Sequence, residues 1–407
     1  MTFKLVKNKN LIEKELNMKK INVPYNWHIK KVEQISKIVG GGTPPTNINS
    51  YWGGEICWVG PKEMSKVNEP YISMGERFIT EEGAKKLKGK KILKDSIILS
   101  TRAPVGYVKI AKNDLYTNQG CHSMILNKSV SSFYIYYLFI KNKILFNEFS
   151  TGSTFKELSS KNLKNLQFAI PSFEEQVRIA NVLLKQESII LNIEKLISKT
   201  EKIFEYFCDN LISGKMILEN NKLINNINKN NIKKYKLENF LKMYPNTKKY
   251  QIKSKDILES GTIPVISQEK EKISGYSNKK DYIMADKNNP IIVFGDHSCT
   301  LKLIDFNFIL GGDGTKVFTS NNNETLFLYY LIKNLGLKTE GYKRHFSILK
   351  EKLVVDIPNK LDVCKILLNI EQLIENQKKL LEKEKQKFEW LSEKLLSGEY
   401  LVVEEQE

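Results

Sequence analysis

Hydrophobic and polar residues follow the same helical spacing in two stretches of the chain, residues 180–214 and 364–398. In both, apolar positions recur at alternating steps of three and four, the spacing of a helix with a coiled-coil seam. The first seam contains Leu183, Gln186, Ile190, Ile193, Ile197, Thr200, Phe204, Phe207 and Leu211. The second contains Leu367, Ile370, Ile374, Gln377, Leu381, Glu384, Phe388, Leu391 and Leu395. Neither stretch contains proline and each ends at a glycine, which predicts two long helices with glycine C-caps.

The two stretches are copies of each other. A constant offset of 398 − 214 = 184 residues aligns them without a gap, and it pairs identical residues such as Leu183 with Leu367. Thr200 and Glu384 interrupt the two seams at the same register. Two unrelated amphipathic helices would not share phase, interruption and terminal Ser-Gly, so the pattern indicates an internal duplication.

A second apolar row widens each stripe beyond a bare seam. Its members are Val182, Ile189, Leu196 and Ile203 in the first copy and Ile366, Leu373 and Leu380 in the second. Each helix should therefore bury a broad face. The simplest partner for each helix is the other, and helices of about 35 residues would form an antiparallel rod about 50 Å long.

Short strands alternate with helices between these stretches, which predicts an α+β (mixed α/β) fold. In the first block we expect strands at residues 56–59, 96–100, 107–111 and 166–170, a small helix from residue 80 and an aromatic helix at 133–146. In the second we expect strands at residues 263–267, 291–294, 300–304 and 353–357 and a helix at 326–334. Both aromatic helices contain Tyr-Tyr-Leu, at residues 136–138 and 329–331, so the duplication spans the chain.

The predicted domain order follows from these patterns. It is a partly helical arm (residues 1–22), a first globular domain (23–172), a first long helix (173–214), an exposed linker (215–235), a second globular domain (236–358), a second long helix (359–398) and a tail (399–407). The Asn- and Lys-rich linker has little to bury.

Charge favours an anionic partner for this chain of 407 residues. Lys and Arg exceed Asp and Glu by 64 − 46 = 18. Nucleic acid fits better than a membrane because no basic amphipathic terminal helix or lipidation motif is present. Part of the excess reflects composition, since the richness in Lys, Asn and Ile indicates an AT-rich genome. Charge alone therefore supports nucleic-acid binding only weakly.

The remaining composition predicts a cytoplasmic protein. Residues 1–20 lack the apolar core of a secretory signal, and no run reaches the roughly 18 apolar residues of a membrane span. The five cysteines are scattered and odd in number, without a Cys-x-x-Cys pair. That pattern suits a reducing compartment and gives no indication of structural zinc.

Polar loops on the two globular blocks are candidates for DNA contact because recognition commonly lies on loops held by a rigid frame. Basic side chains suit phosphates or guanine, and amides pair with adenine. In the first block the candidates are Thr43, Trp58, Lys62, Thr101, Arg102, Asn118, Gln119, Ser153 and Thr154. In the second they are Gln268, His297, Thr300, Lys302, Lys316, Tyr342, Lys343, Arg344 and His345.

Catalytic signatures are missing from the sequence. The stretch Asn289-Pro290-Ile291 lacks the second proline and the aromatic residue of an amino-methyltransferase motif. The glycines of residues 311–316 do not have the spacing of a phosphate-binding loop. Asp296, His297 and Ser298 are adjacent in sequence, which says little about a triad. We therefore expect a chain that binds without reacting, with no catalytic residue, metal or cofactor of its own.

Several short motifs recur together in one known family. They include Trp27, a Gly-Gly-Thr-Pro turn at residues 41–44, Trp-Val at 58–59, Ser-Thr-Arg at 100–102, Thr-Asn-Gln at 117–119, Gly-Ser-Thr at 152–154 and Glu-Glu-Gln at 174–176. Over nearly its whole length the chain resembles the DNA-specificity subunits of type I restriction-modification systems. One departure is that the Glu-Glu-Gln motif has no counterpart before Cys364, so we expect that end of the second helix to pack less regularly.

This resemblance implies two target-recognition domains and two antiparallel conserved helices in a pseudo-twofold arrangement. Each domain would read one half of an asymmetric bipartite site in double-stranded DNA, with an unread spacer set by the helices. It also implies two copies of an adenine-specific DNA methyltransferase subunit docked on the helices, and an ATP-dependent restriction subunit. S-adenosylmethionine, ATP and Mg would then belong to those partners.

Two alternatives stay open at this point. The chain could be the recognition subunit of a fused restriction-methylation enzyme that cuts on both sides of its site. It could instead be a coiled-coil scaffold whose basic charge is compositional and which binds no specific DNA. Salt-sensitive DNA binding would separate the scaffold from both DNA-reading alternatives.

Overall fold

The computed structural model describes residues 3–102, 104–152, 156–219, 222–225, 233–339, 341 and 343–404. The strands up to residue 170 are β1 (Phe3–Lys7), β2 (Leu11–Leu16), β3 (Lys19–Pro24), β4 (His28–Lys31), β5 (Ser36–Gly40), β6 (Trp52–Val59), β7 (Tyr71–Ile72), β8 (Arg77–Ile79), β9 (Ile97–Ser100), β10 (Val108–Ala111), β11 (Tyr116–Thr117), β12 (Cys121–Leu126) and β13 (Gln167–Ile170). The helices up to residue 212 are α1 (Val32–Ile35), α2 (Pro61–Lys66), α3 (Glu81–Lys86), α4 (Ser132–Lys141), α5 (Lys143–Glu148), α6 (Ser160–Asn165) and α7 (Phe173–Ile212).

The later strands are β14 (Met216–Glu219), β15 (Lys222–Asn225), β16 (Lys234–Lys236), β17 (Leu241–Met243), β18 (Gln251–Ile252), β19 (Ile263–Ile266), β20 (Gly275–Ser277), β21 (Ile291–Gly295), β22 (Leu301–Ile304), β23 (Ile309–Gly311), β24 (Thr315–Ser320), β25 (Leu353–Val355) and β26 (Tyr400–Glu404). The later helices are α8 (Thr325–Asn334), α9 (His345–Lys350) and α10 (Lys360–Leu396).

The chain divides into two units, each of which contains one end of α7 and one end of α10. Unit 1 comprises residues 1–193 and 380–407, and unit 2 comprises residues 194–379. Both units mix strands and helices, which confirms the predicted α+β fold with two long helices. The helices α7 and α10 have 40 and 37 residues.

The main sheet of unit 1 has the strand order β5-β12-β9-β10-β7, antiparallel except where β10 and β7 run parallel. Its central strand β9 is buried at every position, as expected for a short run of Ile and Leu between two layers. The aromatic helix α4 packs on β9 and β10. A second sheet of order β11-β6-β8 carries the loops that matter for the candidate site.

Unit 2 repeats this frame. Its sheet of order β17-β24-β21-β22 has the same succession as β5-β12-β9-β10 in unit 1. Its second sheet has the order β18-β23-β19-β20, with two parallel pairs. In both units the strand that opens the globular block pairs antiparallel with the strand before the long helix, β4 with β13 and β16 with β25. The sheets therefore share the duplication seen in the helices.

The two long helices pack antiparallel within each unit, and the packing follows the 184-residue offset. In unit 1, Leu183 of α7 and Leu395 of α10 lie in one core; in unit 2, Leu211 of α7 and Leu367 of α10 do. All four side chains are fully buried. The offset makes Leu183 equivalent to Leu367 and Leu211 equivalent to Leu395. Each unit therefore pairs the start of one long helix with the end of the other, as the predicted antiparallel pairing requires.

The described part of the predicted N-terminal arm is stranded rather than partly helical. Strands β2 and β3 form a hairpin across Asn17 and Met18, both of which have positive φ as a two-residue hairpin turn requires. Strand β1 pairs with β26, in the predicted tail, nearly the whole chain length away. The Glu, Lys and Leu residues of this arm favour helix in isolation, but strand pairing decides the outcome.

Two further expectations need correction. The predicted linker contains strands: β14 and β15 form a hairpin, and β16 joins β25. The single aromatic helix expected at residues 133–146 is two helices. The helix α4 ends at Lys141, and the side-chain Nδ2 of its C-cap residue Asn142 donates to the Leu138 carbonyl at 2.7 Å. None of the described helices combines the length and apolar character needed to cross a membrane.

Candidate nucleic-acid interface

The predicted reading loops of unit 1 meet around the turn at residues 41–44. The Gly42 backbone N–H donates to the Thr117 carbonyl at 2.7 Å, and the Gly41 N–H donates to the Cys121 carbonyl at 3.1 Å. A Cβ at Gly41 would lie 1.8 Å from the Asn118 carbonyl oxygen. Only glycine allows this approach, so the Gly-Gly-Thr-Pro motif has a packing reason.

Candidate side chains in this cluster have different roles. The Thr43 hydroxyl donates to the Gln119 side-chain oxygen at 2.6 Å, and Gln119 is exposed. Asn118 uses its side-chain oxygen to accept from the Gly120 N–H at 2.9 Å. Trp58 is 8% exposed and its Nε1 donates to the Gly42 carbonyl at 2.9 Å. Trp58 therefore supports the turn, while Thr43 and Gln119 present polar atoms at its surface.

The loop after β9 places Thr101 and Arg102 beside this turn. The buried Thr101 lies with Oγ1 2.8 Å from His122 Nδ1, and its backbone N–H donates to the Gly120 carbonyl at 2.8 Å. Burial lowers the pKa of His122. Arg102 is exposed, and its Nε lies 3.1 Å from Glu157 Oε1. Only Arg102 of this pair of candidates extends to the surface.

Lys62 lies at the start of α2 and pairs with an acidic side chain. Its Nζ is 2.9 Å from Glu76 Oε2, and Lys66 also pairs with Glu76. The hydrogen bonds from Lys66 and Lys62 hold the pKa of Glu76 at about 2. These contacts are exposed, so Lys62 can exchange its partner for a phosphate at modest cost.

In unit 2 the candidates gather around Gln268 and Asp296. The Gln268 backbone carbonyl accepts from Ser298 Oγ at 2.6 Å and from Thr300 Oγ1 at 2.9 Å. A Cβ on Gly314 would lie 3.1 Å from both the Gln268 side-chain oxygen and a ring carbon of His297. Gln268, His297 and Thr300 are therefore neighbours. Within the described residues, the Gln268 side-chain oxygen is buried without a hydrogen-bond partner.

Asp296 joins a second loop to this group. It is 4% exposed, and its Oδ1 accepts from the Phe346 N–H at 2.8 Å. Its carbonyl accepts from the His345 N–H at 2.9 Å, and Lys316 Nζ lies 3.9 Å from its Oδ2. His345 is itself buried, whereas Lys343 and Arg344 before it are exposed. The contact brings the basic residues 343–344 to the edge that carries Lys316.

The ammonium group of Lys302 is buried and hydrogen-bonded within the protein. It is 7% exposed, and its Nζ donates to the Ser267 carbonyl at 2.8 Å and to the Glu271 carbonyl. Burial lowers the pKa of Lys302. Its position suits bracing of the loop that carries Gln268. Three further candidates, Ser153, Thr154 and Tyr342, lie outside the described residues.

Sequence reasoning missed several residues at these sites. Arg77, Trp52, Lys90 and His122 all lie against the unit 1 loops; Lys90 Nζ donates to the Gly41 carbonyl at 3.1 Å. Arg77 reaches these loops through the pairing of β6 with β8, and a single sequence does not show that pairing. Among the described residues, no group of three or more His, Cys, Asp and Glu side chains could hold a metal ion.

Comparison with known proteins identifies relatives of this arrangement. Residues 24–203 match the type I restriction modification DNA specificity domain. The specificity subunit of type I restriction enzyme MjaIX from Methanocaldococcus jannaschii is 44% identical over 184 residues, which are 44% of this chain and 42% of that protein. The EcoR124I/EcoR124II specificity subunit from Escherichia coli is 28% identical over 226 residues, 49% of this chain and 54% of that protein. The matches thus span about half the length of these relatives.

Solved structures extend the likeness of fold. A crystal structure of the S subunit of a type I restriction-modification system from M. genitalium has a TM-score of 0.62 at 17% identity, covering 91% of this chain and 96% of that one. A chain from a study of complex assembly and conformational transition of the type I R-M system has a TM-score of 0.52 at 12% identity, covering 93% and 99%. The fold is shared along nearly the whole chain.

Proposed function

We propose that this chain, whose residues 24–203 match the type I restriction modification DNA specificity domain, is a specificity subunit that reads double-stranded DNA and carries out no chemistry itself. One observation carries the proposal: two units repeat one frame and differ in the loops mounted on it. Equivalent strands and helix ends recur at the same places, while the loop residues of unit 1 have no matching set in unit 2. That is the arrangement expected of two readers of two different sequences.

Each globular domain would read one half of a bipartite asymmetric site. We assign residues 23–172 to one half-site and residues 236–358 to the other. Thr43, Gln119, Arg102 and Lys62 are the surface candidates in the first domain. Lys316, Lys343 and Arg344 are those in the second, with the half-buried Gln268 and Thr300 as further candidates. Trp58, Thr101, Lys302 and His345 would support the loops, because burial keeps them from a DNA groove in the arrangement described above.

The long helices would dock an adenine-specific methyltransferase. Leu196 and Ile203 lie seven residues apart on α7 and are 50% and 48% exposed, and Leu373 on α10 is 50% exposed. Half-exposed leucine and isoleucine side chains on one helix face indicate an apolar partner surface. Two methyltransferase copies, and an ATP-dependent restriction subunit, would supply S-adenosylmethionine, ATP and Mg in the cytoplasm.

The decisive experiment expresses the chain with its neighbouring methyltransferase and maps methylated adenines across a genome. We expect methylation at one bipartite sequence, lost when this chain is deleted. Methylation that is unchanged by the deletion would refute the proposal. A scaffold without DNA specificity is tested by salt titration, since several phosphate contacts should weaken binding by orders of magnitude between low and moderate salt.

Two substitutions test the division between half-sites. Arg102→Ala should weaken reading of one half-site by roughly 1 to 3 kcal/mol if its contact is bidentate, and Arg344→Ala should do so for the other. Binding to duplexes with one half-site scrambled measures each effect separately. Equal loss at both half-sites would show that the substituted residue is structural.

Docking on the helices has its own test. Leu196→Asp with Ile203→Asp should abolish co-purification of the methyltransferase and leave DNA affinity unchanged. Asn192→Asp with Ser198→Asp is the matched control, because both residues are exposed on α7 and the pair adds the same two negative charges. Retained co-purification of the double variant would exclude this face as the docking site. A fused restriction-methylation enzyme is the other candidate, and it expects no separate motor subunit in the gene neighbourhood.

A further inference from the structure

An exposed arginine is stacked on two tryptophans at the edge of the β11-β6-β8 sheet in unit 1. Arg77 opens β8 and pairs with Trp58 across the strands. Its guanidinium carbon is 3.6 Å from the centre of the Trp52 ring and 5.5 Å from that of Trp58. The two indoles meet edge to face, with centroids 5.4 Å apart. A cation over an indole face is held by the ring quadrupole, so the stack orients the guanidinium.

The stack is fastened to the glycine-rich turn. Trp52 Nε1 donates to the Pro45 carbonyl at 3.2 Å, and Trp58 Nε1 donates to the Gly42 carbonyl at 2.9 Å. Both indoles therefore use their only polar group to bind the loop that carries Thr43. Arg77 is therefore connected through the two indoles to the turn that carries Thr43, whose hydroxyl donates to Gln119.

The guanidinium of Arg77 has its hydrogen-bond donors available. Among the described residues the side chain makes no hydrogen bond or ion pair, and it is exposed. The neighbouring cations differ, since Arg102 is paired with Glu157 and Lys62 with Glu76. Only four of the 64 basic residues in the chain are arginine. A planar fork at this position, in a chain whose basic residues are mostly lysine, indicates a need for planar recognition.

We propose that Arg77 is a guanine-reading residue of the half-site bound by unit 1, held in its reading direction by Trp52 and Trp58. An arginine fork donates two parallel hydrogen bonds to O6 and N7 of guanine in the major groove, a pattern that lysine does not reproduce. The inference rests on the proposed function and names one base contact within it. It also ranks Arg77 above Arg102, whose guanidinium must first leave Glu157.

The test is competitive binding by the full-length chain to duplexes in which each base pair of the half-site is replaced in turn. Arg77→Lys should lose discrimination at a single G·C pair by about 5- to 150-fold, with the other positions unchanged. Trp52→Leu keeps the arginine and removes the nearer of the two indoles, so it should show a smaller loss at the same base pair. Arg178→Lys, the same substitution on α7 and outside the candidate loops, is the matched control and should leave that base pair's discrimination intact.

Each outcome decides the question. Full discrimination by Arg77→Lys and Arg77→Ala at every position would overturn the proposal, as would a uniform loss on all sequences, which marks a phosphate contact. Either result leaves sequence reading by the wild-type chain in place, so the proposed function would stand. A wild-type chain without sequence preference would overturn both. Because Arg77 is exposed, both variants should melt at the wild-type temperature, which a thermal scan checks.

Discussion

In both units a tyrosine of the aromatic helix donates a hydrogen bond to a glutamate of a long helix, but the nearby lysine contacts that glutamate in only one unit. In unit 1 the Tyr137 hydroxyl donates to Glu187 Oε2 at 2.8 Å, and in unit 2 Tyr330 donates to Glu371 Oε2 at 2.7 Å. In unit 2, Lys333 adds an ion pair to Glu371. In unit 1 the corresponding Lys141 donates instead to the Glu393 carbonyl at 2.8 Å.

A single residue explains this difference. Lys333 follows Tyr330 by three positions and Lys141 follows Tyr137 by four, because Phe139 is added in unit 1. One residue turns a helical side chain by about 100° around the helix axis. Phe139 is fully buried against Phe146 and Phe168, with centroids 5.1 and 5.4 Å away. Unit 1 thus replaces an ionic contact with aromatic packing while the frame stays the same.

The starts of the two long helices show the same difference between aromatic packing in unit 1 and ion pairs in unit 2. At α7, Trp27 is 1% exposed and its Nε1 donates to the buried Glu175 at 3.2 Å. At α10, Lys360 Nζ lies 2.7 Å from Glu324 and 2.6 Å from Asp356. We expected this end of the second helix to pack less regularly. The structure gives it ion pairs where the first helix has a tryptophan.

The largest expected effect comes from removing Trp27 or Lys360, the side chains that hold the starts of the two long helices. Trp27→Ala should destabilise unit 1 by about 3–5 kcal/mol, because it leaves a large cavity and takes the donor from Glu175. Lys360→Met should destabilise unit 2 by only about 1 kcal/mol, because the two carboxylates it leaves are partly exposed. Hydrogen exchange of peptides from each unit reports the two stabilities separately.

Two controls sharpen that result. Trp27→Phe keeps most of the packing and loses the N–H donor, so it separates the two parts of the expected loss. Raising the salt concentration should reduce the difference between wild type and Lys360→Met and leave the Trp27→Ala difference unchanged. Similar losses for both variants, with the same salt response, would contradict the contrast between an apolar and an ionic anchor.

The next test uses the duplicated glutamates. Glu371→Gln should destabilise unit 2 by about 1–3 kcal/mol, because Lys333 is left partly buried without its ion pair. Burial raises the pKa of Glu187, so its charged form costs unit 1 stability at neutral pH. Glu187→Gln keeps an acceptor for Tyr137 and should be neutral or stabilising at pH 7.

The pH dependence gives the matched control for this pair. A raised pKa means that Glu187 contributes most below its ordinary range and loses that contribution as pH rises through the folded value. Any gain from Glu187→Gln should therefore vanish in acid, where the wild-type side chain is protonated. Hydrogen exchange of α4 and α8 at two pH values measures both effects. A large loss from Glu187→Gln at pH 7 would mean that its charge is required.

The long helices were predictable because their signal is local. The spacing of apolar residues, the absence of proline and the closing glycines all lie within each stretch, and the offset relates Leu183 to Leu367 directly. The arm was not predictable from its residues, since β1 pairs with β26 near the other end of the chain. Local preference for helix could not reveal that partner.

The candidate sites were predictable as loops but not as individual side chains. The turn at residues 41–44 and the stretch 117–119 contact each other, which the separate loops did not indicate in the sequence. The burial of Trp58 and Lys302 arises from contacts with distant residues, and Arg77 reaches the surface of this cluster only through the pairing of β8 with β6. DNA contact by any of these side chains stays a prediction.

A smaller effect is expected at the polar interruptions between the long helices. In unit 1, Gln186 Nε2 donates to Glu384 Oε2 at 2.6 Å; in unit 2, Gln377 Nε2 donates to Thr200 Oγ1 at 3.2 Å. Glu384→Ala should cost about 1 kcal/mol, because the buried Gln186 amide loses its carboxylate acceptor and keeps only the Glu384 backbone carbonyl, at 3.2 Å. Thr200→Val with Gln377→Leu removes both partners and should be nearly neutral. Denaturant titration measures the free energy of unfolding of the double variant and of Glu384→Ala. Equal losses in the two variants would contradict this prediction.

The smallest expected effect concerns pH and the unit 1 loops alone. Burial lowers the pKa of His122 below its ordinary value of 6.5, with Glu157 opposing and Arg102 reinforcing the shift. A lowered folded pKa means that the unfolded chain binds more protons, so this group's contribution to stability is present above about pH 6.5 and lost as pH falls. Hydrogen exchange between pH 7 and 5 should therefore show the unit 1 loops loosening, with the change reduced in His122→Asn. An undiminished change in that variant would assign the pH response to another group.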